Sequence, residues 1–231
     1  MYENLIHLKI YNMKKNKNMK NMMVVLFIAN MFNSNAQNLC PDNKHPHAID
    51  LGIGVKFACC NVDASVPWEY GGYYAWGETE TKDVYRVRSY KYFDRNEGDF
   101  GEYVNIGVDI AGTNFDVAHV KWGGKWRIPS KTQINLLINK CKSEWLTING
   151  KIGRKFTGPN GKSIFIPAAG QHFRNEMCDE GSKAVCWLST ISEDGLEDMD
   201  YANVFEFDDE DVDVDEESRE YGLTVRPVIA P

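Results

Sequence analysis

Between Glu193 and Glu220 the chain carries 15 carboxylates and a single base, Arg219. Side chains of this kind can hold a hard cation or attract a basic partner, and their spacing says how they are presented. Phe205 and Phe207 alternate with Glu206 and Asp208, while Val212 and Val214 alternate with Asp211, Asp213 and Asp215. Period-two alternation predicts two strands joined by residues 208–211, apolar side chains inward and carboxylates outward. Like charges facing one another on paired strands are destabilising, and a cation or a basic partner would relieve that cost. The plainer alternative is a solvated acidic face that keeps the chain soluble. Asp211-Val-Asp213-Val-Asp215 has the opening spacing of a calcium loop. Glu216 stands where such a loop needs glycine, however, and Gly222 where it needs a bidentate glutamate. A loop of that type is excluded, weak calcium binding is left open, and no metal site is assigned.

A second group with binding chemistry is aromatic: Trp68, Tyr70, Tyr73, Tyr74 and Trp76. Such rings can stack on a sugar or a peptide, or simply pack a core. Catalytic signals are weak. The chain has no Gly-x-Ser-x-Gly and no His-Glu-x-x-His. His119 lies between apolar residues and reads as a packing residue, and His45 and His47 sit in a proline-bearing arm. Gly52-x-Gly54 lacks the third glycine and the helix that a dinucleotide site requires.

Composition narrows the partners. Lys14, Lys15, Lys17 and Lys20 precede an apolar stretch, Met22 to Phe32, that is too short to span a bilayer, and Ser34-Asn35-Ala36 offers small residues for cleavage before Gln37. Residues 1–36 are therefore expected to be an upstream segment with a cleavable signal peptide, and 37–48 an N-terminal arm. The mature chain is placed outside the cytoplasm: secreted, periplasmic or at the cell surface, with no transmembrane segment after cleavage. Residues 1–36 contain five lysines and one acid, so the remainder has 21 bases and 32 acids, a net charge of −11. That argues against nucleic acid and anionic membranes as partners. Outside the 193–220 window, 20 bases face 17 acids. The acidity is thus regional. All six cysteines lie after residue 36, which in an exported chain favours disulfides, with Cys178 and Cys186 the preferred pair across a short turn.

The elements that must position these groups are mostly strands. From Ile49 the apolar runs are short, alternating and punctuated by glycine. Residues 80–116 are polar and read as a long surface excursion. Ser130 stands three residues before Gln133, the spacing of a capping box, and Ile134, Leu137, Ile138 and Cys141 follow at helical spacing. Just upstream, Gly123-Gly124 permits a tight reversal that puts Trp122 and Trp126 on one side, and Pro129 leads into the cap. Pro159-Asn160-Gly161 predicts a hairpin turn. The fold class expected is α+β: one domain, 49–231, with many short antiparallel strands, one or two helices and long loops.

Six segments in order, "AIDLGIGVKFACCNVDA", "YGGYYAWGETETK", "FDVAHVKWGGKWRIPS", "GPNGKSIFIPAAG", "WLST" and "YGLTVRPV", resemble the Fibrobacter succinogenes major paralogous domain. This resemblance covers about Ile49 to Val228. It implies an irregular C-type-lectin-like fold, distantly akin to formylglycine-generating enzymes, in exported proteins of Bacteroidetes. In such a frame Trp126, Arg127 and Pro129 enter the helix, Trp187 sits in the core, and Arg226 lies on the last strand. Two departures stand out: Leu188 replaces a common serine, and the final hairpin is a block of carboxylates. The calcium-dependent sugar motif is absent, since Gly158 replaces its carboxylate and Trp187 is followed by Leu-Ser.

The expectation from these readings is a non-enzymatic exported binding module. Its ligand surface would be Glu206, Asp208, Asp211, Asp213 and Asp215, its ligand a basic protein or peptide with or without calcium, and it would need no cofactor. The alternatives are a glycan-binding domain using Trp68 and Trp76 and, below it, a divergent formylglycine-type enzyme.

Overall fold

The computed structural model describes residues 46–95 and 101–229, all within the compact unit Leu39–Pro231. The predicted signal segment, most of the N-terminal arm and Cys40 lie outside the described residues.

Short antiparallel strands dominate. β1 (Ala48–Asp50), β2 (Lys56–Ala58), β5 (Trp126–Arg127) and β14 (Val228–Ile229) form one sheet in the order β1-β2-β14-β5, so the last strand lies between early ones. β6 (Lys142–Ile148), β7 (Lys151–Thr157) and β8 (Ser163–Pro167) form a meander, and β11 (Ala184–Ile191), β12 (Tyr201–Phe207) and β13 (Val212–Ser218) form a third sheet. β3 (Phe93–Asp94) pairs with β4 (Glu102–Tyr103), and β9 (Gln171–Phe173) with β10 (Glu176–Cys178). The α-helices among the described residues are α1 (Val117–Trp122) and α2 (Lys131–Lys140). This is an α+β arrangement weighted toward strands. No helix among the described residues is long and apolar enough to cross a membrane.

The alternating side chains of β11 and β12 serve two cores at once. Ala184, Cys186, Leu188, Phe205 and Phe207 face a core shared with Ile134 and Leu137 of α2, Phe156 and Ile164. On the opposite face Val185, Trp187, Ala202 and Val204 join Trp76, Ile128, Leu223 and Val225. Both strands are therefore apolar on both faces along most of their length, and Trp187 is in the core as expected.

The segment 119–130 is a scaffold. Asp116 caps α1, its Oδ1 accepting the Ala118 and His119 N–H groups at 2.9 and 3.1 Å. Gly123 and Gly124 take φ of 67° and 58°, left-handed values that glycine adopts without a Cβ penalty. The reversal sets the Trp122 and Trp126 rings edge-to-face, 5.2 Å apart. Trp126 and Arg127 then pair with Ile229 and Val228. Both are half-buried, so Trp126 is a rim residue of the packing. Pro129 is buried, and the Ser130–Gln133 capping box forms in both directions, with the Gln133 N–H to Ser130 Oγ at 3.3 Å and the Ser130 N–H to Gln133 Oε1 at 2.9 Å.

Two expectations need correction. Residues 80–95 and 101–116 are tied inward by Tyr85, Tyr90 and Ile110, all buried, because tyrosine hydroxyls find backbone carbonyls inside: that of Tyr90 donates to the Trp76 carbonyl at 2.6 Å. The Cys178–Cys186 disulfide does not form; both are free thiols. Cys178 belongs to the β9–β10 hairpin opposite Gln171, whereas Cys186 points into the main core with its Sγ 3.3 Å from Thr224 Oγ1.

Candidate functional site

The acidic segment folds as its alternation predicts. β12 and β13 pair from Tyr201↔Ser218 to Phe207↔Val212 without a bulge, and residues 208–211 close the hairpin. Asp208 organises the turn: its Oδ1 accepts the Glu210 and Asp211 N–H groups at 2.8 and 2.9 Å. Those two bonds hold its carboxyl below the ordinary aspartate value. Val212 and Val214 pack on the main core, while Asp211, Asp213 and Asp215 are exposed.

Glu206 differs from the other four. It sits on the central strand, opposite Asp213 on one side and Val185 on the other. Lys183 reaches it with Nζ 2.7 Å from Oε2. Burial works against the Lys183 charge, but the bond to Glu206 and the fields of Glu206, Asp179 and Asp215 outweigh it and raise its pKa. A second base approaches from β7: Arg154 Nε donates to the Asp208 carbonyl at 2.7 Å. The hairpin's like-charge cost is thus partly offset within the fold. Neither base lies in the 193–220 window, so a residue count along the chain could not find them.

Arg219, the base inside that window, does not serve the acidic face. It is fully buried. Its guanidinium donates to the Met199 carbonyl at 2.5 Å, the Val104 carbonyl at 3.2 Å and the Tyr90 hydroxyl at 3.0 Å. The rings of Trp76 and Tyr90 lie 4.9 and 5.3 Å from it, a cation–π arrangement. Beside it, the buried Glu220 carboxylate accepts the Tyr103 hydroxyl at 2.8 Å, and burial pushes its pKa up.

Two recesses adjoin the acidic surface. One of about 280 Å³ lies at the N-terminal end of α2, between Lys131, Glu193 and Asp194 on one side and Asp215 and Glu216 on the other. Another of about 520 Å³ is walled by Phe93 and Tyr103 and by Glu197, Asp198 and Asp200. A third, of about 550 Å³, lies away from the acids beside Lys56 and Lys125. Among the described residues no three carboxylate, imidazole or thiol groups converge as a metal-ligating set. The pleat explains this for Asp213 and Asp215, which follow one another at roughly 7 Å along β13 instead of wrapping a point.

The aromatic candidates are drawn inward. Trp76 is fully buried with its Nε1 donating to the Leu188 carbonyl at 2.9 Å, so its ring cannot stack on a sugar. Tyr74 is buried and its hydroxyl donates to Asp63. Trp68 is half-buried against Ile148 and Phe165. The structure therefore places Glu206, Asp208, Asp211, Asp213 and Asp215 along one hairpin and disperses the aromatics among separate clusters. Residues the sequence reading missed are Lys183, Arg154 and Asp116. Only Asp116 had a usable signal, as a capping residue type just before a helix.

Compared with family models, with curated proteins and with solved structures, the chain matches none.

Proposed function

We propose that the chain is an exported, non-enzymatic binding module whose acidic hairpin takes a basic protein or peptide segment. The observation that supports this most is the asymmetry of charge on the β12–β13 sheet. Asp211, Asp213 and Asp215 are exposed on a pleated surface where Lys183 is bonded to Glu206 and Arg154 to the Asp208 carbonyl, and Lys131 faces Asp215 across the neighbouring recess. Glu193, Asp194 and Glu216 extend the same negative surface around the neighbouring recess. Such a field attracts cations and basic segments over about a Debye length, roughly 10 Å at 0.1 M salt.

The frame fits a C-type-lectin-like domain of the major-paralogous type in the order of its sequence segments and in the burial of Trp187, whereas Arg226, expected on the last strand, is buried just before it, β14 being Val228–Ile229. The glycan reading loses its main support with Trp76 inside the core.

The test is titration of the mature domain with an oligolysine peptide by calorimetry, across a salt series and with calcium added. Parent binding should weaken as salt rises. It should fall sharply when Asp208, Asp211, Asp213 and Asp215 are changed to Asn, with the fold retained. An affinity indifferent to both salt and these substitutions rejects the proposal and leaves the hairpin as a solubilising face.

A further inference from the structure

Two lysines border a glycine-lined recess on one face of the sheet β1-β2-β14-β5. Lys56 of β2 stands opposite Asp50 of β1 on one side and Ile229 of β14 on the other. Residues directly opposite one another share a face, so these three form a row across the sheet. Trp126, opposite Ile229, extends the row, and Lys125 precedes it at the end of the glycine reversal. Asp50, Lys56, Ile229 and Lys125, with Gly52, Gly54 and Val55 of the loop between β1 and β2, enclose the recess of about 550 Å³. Lys56 and Lys125 are exposed, and among the described residues no carboxylate lies within ion-pair distance of either. Asp50 is engaged with its own loop: Oδ1 accepts the Gly52 N–H at 2.8 Å, and its carbonyl accepts Asn160 Nδ2 at 2.8 Å.

What Gly52 and Gly54 contribute to the wall can only be main chain. Gly54 takes a φ of 89°, a value glycine adopts freely, and a Cβ there would meet nothing within 4 Å, so its backbone borders open space. Among the described residues no acceptor takes the Gly54 N–H. The recess therefore offers two ammonium groups without ion pairs and one main-chain donor, against a single carboxylate, in a chain that is acidic overall. Ammonium and amide groups are donors only, and an oxyanion supplies several acceptor oxygens with the complementary charge. We propose that this recess is a site for an oxyanion, a phosphate, sulfate or carboxylate group, held by Lys56 Nζ and Lys125 Nζ with the Gly54 N–H as the third donor. None of the hairpin acids borders it, so the site stands whether or not the hairpin takes a basic segment. Asp50 opposes the anion by its charge while its oxygen orders the loop. Asp50→Asn separates those two effects, because the amide oxygen still accepts the Gly52 N–H.

The experiment follows backbone amide resonances of the purified protein as sodium phosphate, sodium sulfate or sodium acetate is added, with sodium chloride keeping the ionic strength constant. At least one of the three anions should move the Gly54 amide saturably, and the tightest of them identifies the group the site prefers. Lys56→Gln and Lys125→Gln should each weaken that binding about three- to fivefold, the span open to an exposed charge pair. Lys142→Gln, which removes the same charge from an exposed position on β6, should leave it unchanged. Asp50→Asn should tighten it. All four substitutions lie at exposed or half-exposed positions, and an unchanged amide spectrum away from the recess shows that the fold is retained. The proposal is overturned if none of the three anions gives a saturable shift at Gly54, if Lys142→Gln weakens binding as much as the recess variants do, or if Asp50→Asn fails to tighten it.

Discussion

The Asp116 carboxylate bridges two backbone segments twelve residues apart: Oδ2 accepts the Ile128 N–H at 3.0 Å while Oδ1 caps α1. Oδ2 also accepts the Gly112 N–H at 2.8 Å, so one buried side chain holds the entry to the helix, the loop before it and the strand after the reversal. Asp116→Ala removes a helix cap, at about 1 kcal/mol, and strands at least one buried N–H, at about 1–3 kcal/mol. Chemical denaturation should show a loss of about 2–4 kcal/mol from these two terms. A loss under 1 kcal/mol would mean that water or another acceptor takes over the Ile128 amide.

Trp76 and Trp126 separate core from rim. Trp76→Ala empties a fully buried site and should cost about 3–5 kcal/mol. Trp126 is half-buried and keeps mainly its edge-to-face contact with Trp122, worth about 0.5–1.5 kcal/mol beyond area. Thermal melts should therefore place Trp126→Ala well above Trp76→Ala in Tm. The reverse order would contradict the burial described above.

Glu220 provides a pH test. Its carboxyl is raised above the ordinary 4.5, with burial the largest cause, so the folded state holds a proton that the unfolded chain releases earlier. Stability from this group is greatest below pH 4.5 and declines as pH rises from there through the folded pKa. Glu220→Gln cannot ionise and still accepts from Tyr103. The Tm of the variant relative to the parent should rise between pH 4 and pH 7. A relative Tm that falls over that interval would show that the ionised carboxylate stabilises the fold.

Lys183 tests how the hairpin tolerates its charge. Its pair with Glu206 is partly exposed, and Lys183→Ala should cost about 0.5–1 kcal/mol, the upper range for such pairs. Raising salt to 1 M should shrink that difference, because screening then reaches about 3 Å. A difference unchanged by salt would point to packing of the lysine stem.

Cys178 and Cys186 should remain thiols. A non-reducing peptide map of the purified domain should contain no peptide linking them, and Cys178→Ser should lower Tm by no more than about 4 °C, as expected of a change at a half-buried position worth about 1 kcal/mol. A recovered Cys178–Cys186 peptide would show that the two thiols do pair in the purified domain.

The segments most legible in sequence were those governed by local rules. The capping box at Ser130 and Gln133, the turn at residues 159–161 and the alternation from Phe205 to Asp215 depend on neighbours within a few residues, and each formed as read. The Trp122–Trp126 contact followed from the glycine reversal between them in the same way. The candidate acids were legible because strand periodicity alone decides which side of a sheet a residue faces.

What only the tertiary structure decided is which groups meet across the chain. The sequence could count Arg219 among the acids but could not show it buried against carbonyls of Val104 and Met199 and the ring of Trp76. Nor could it bring Lys183 to Glu206, place Trp76 in the core, or separate Cys178 from Cys186. Local pattern assigns a side chain to a face. Whether that face meets water, a core or a charge depends on strand order, and strand order is set by packing over distances that no short window of sequence contains.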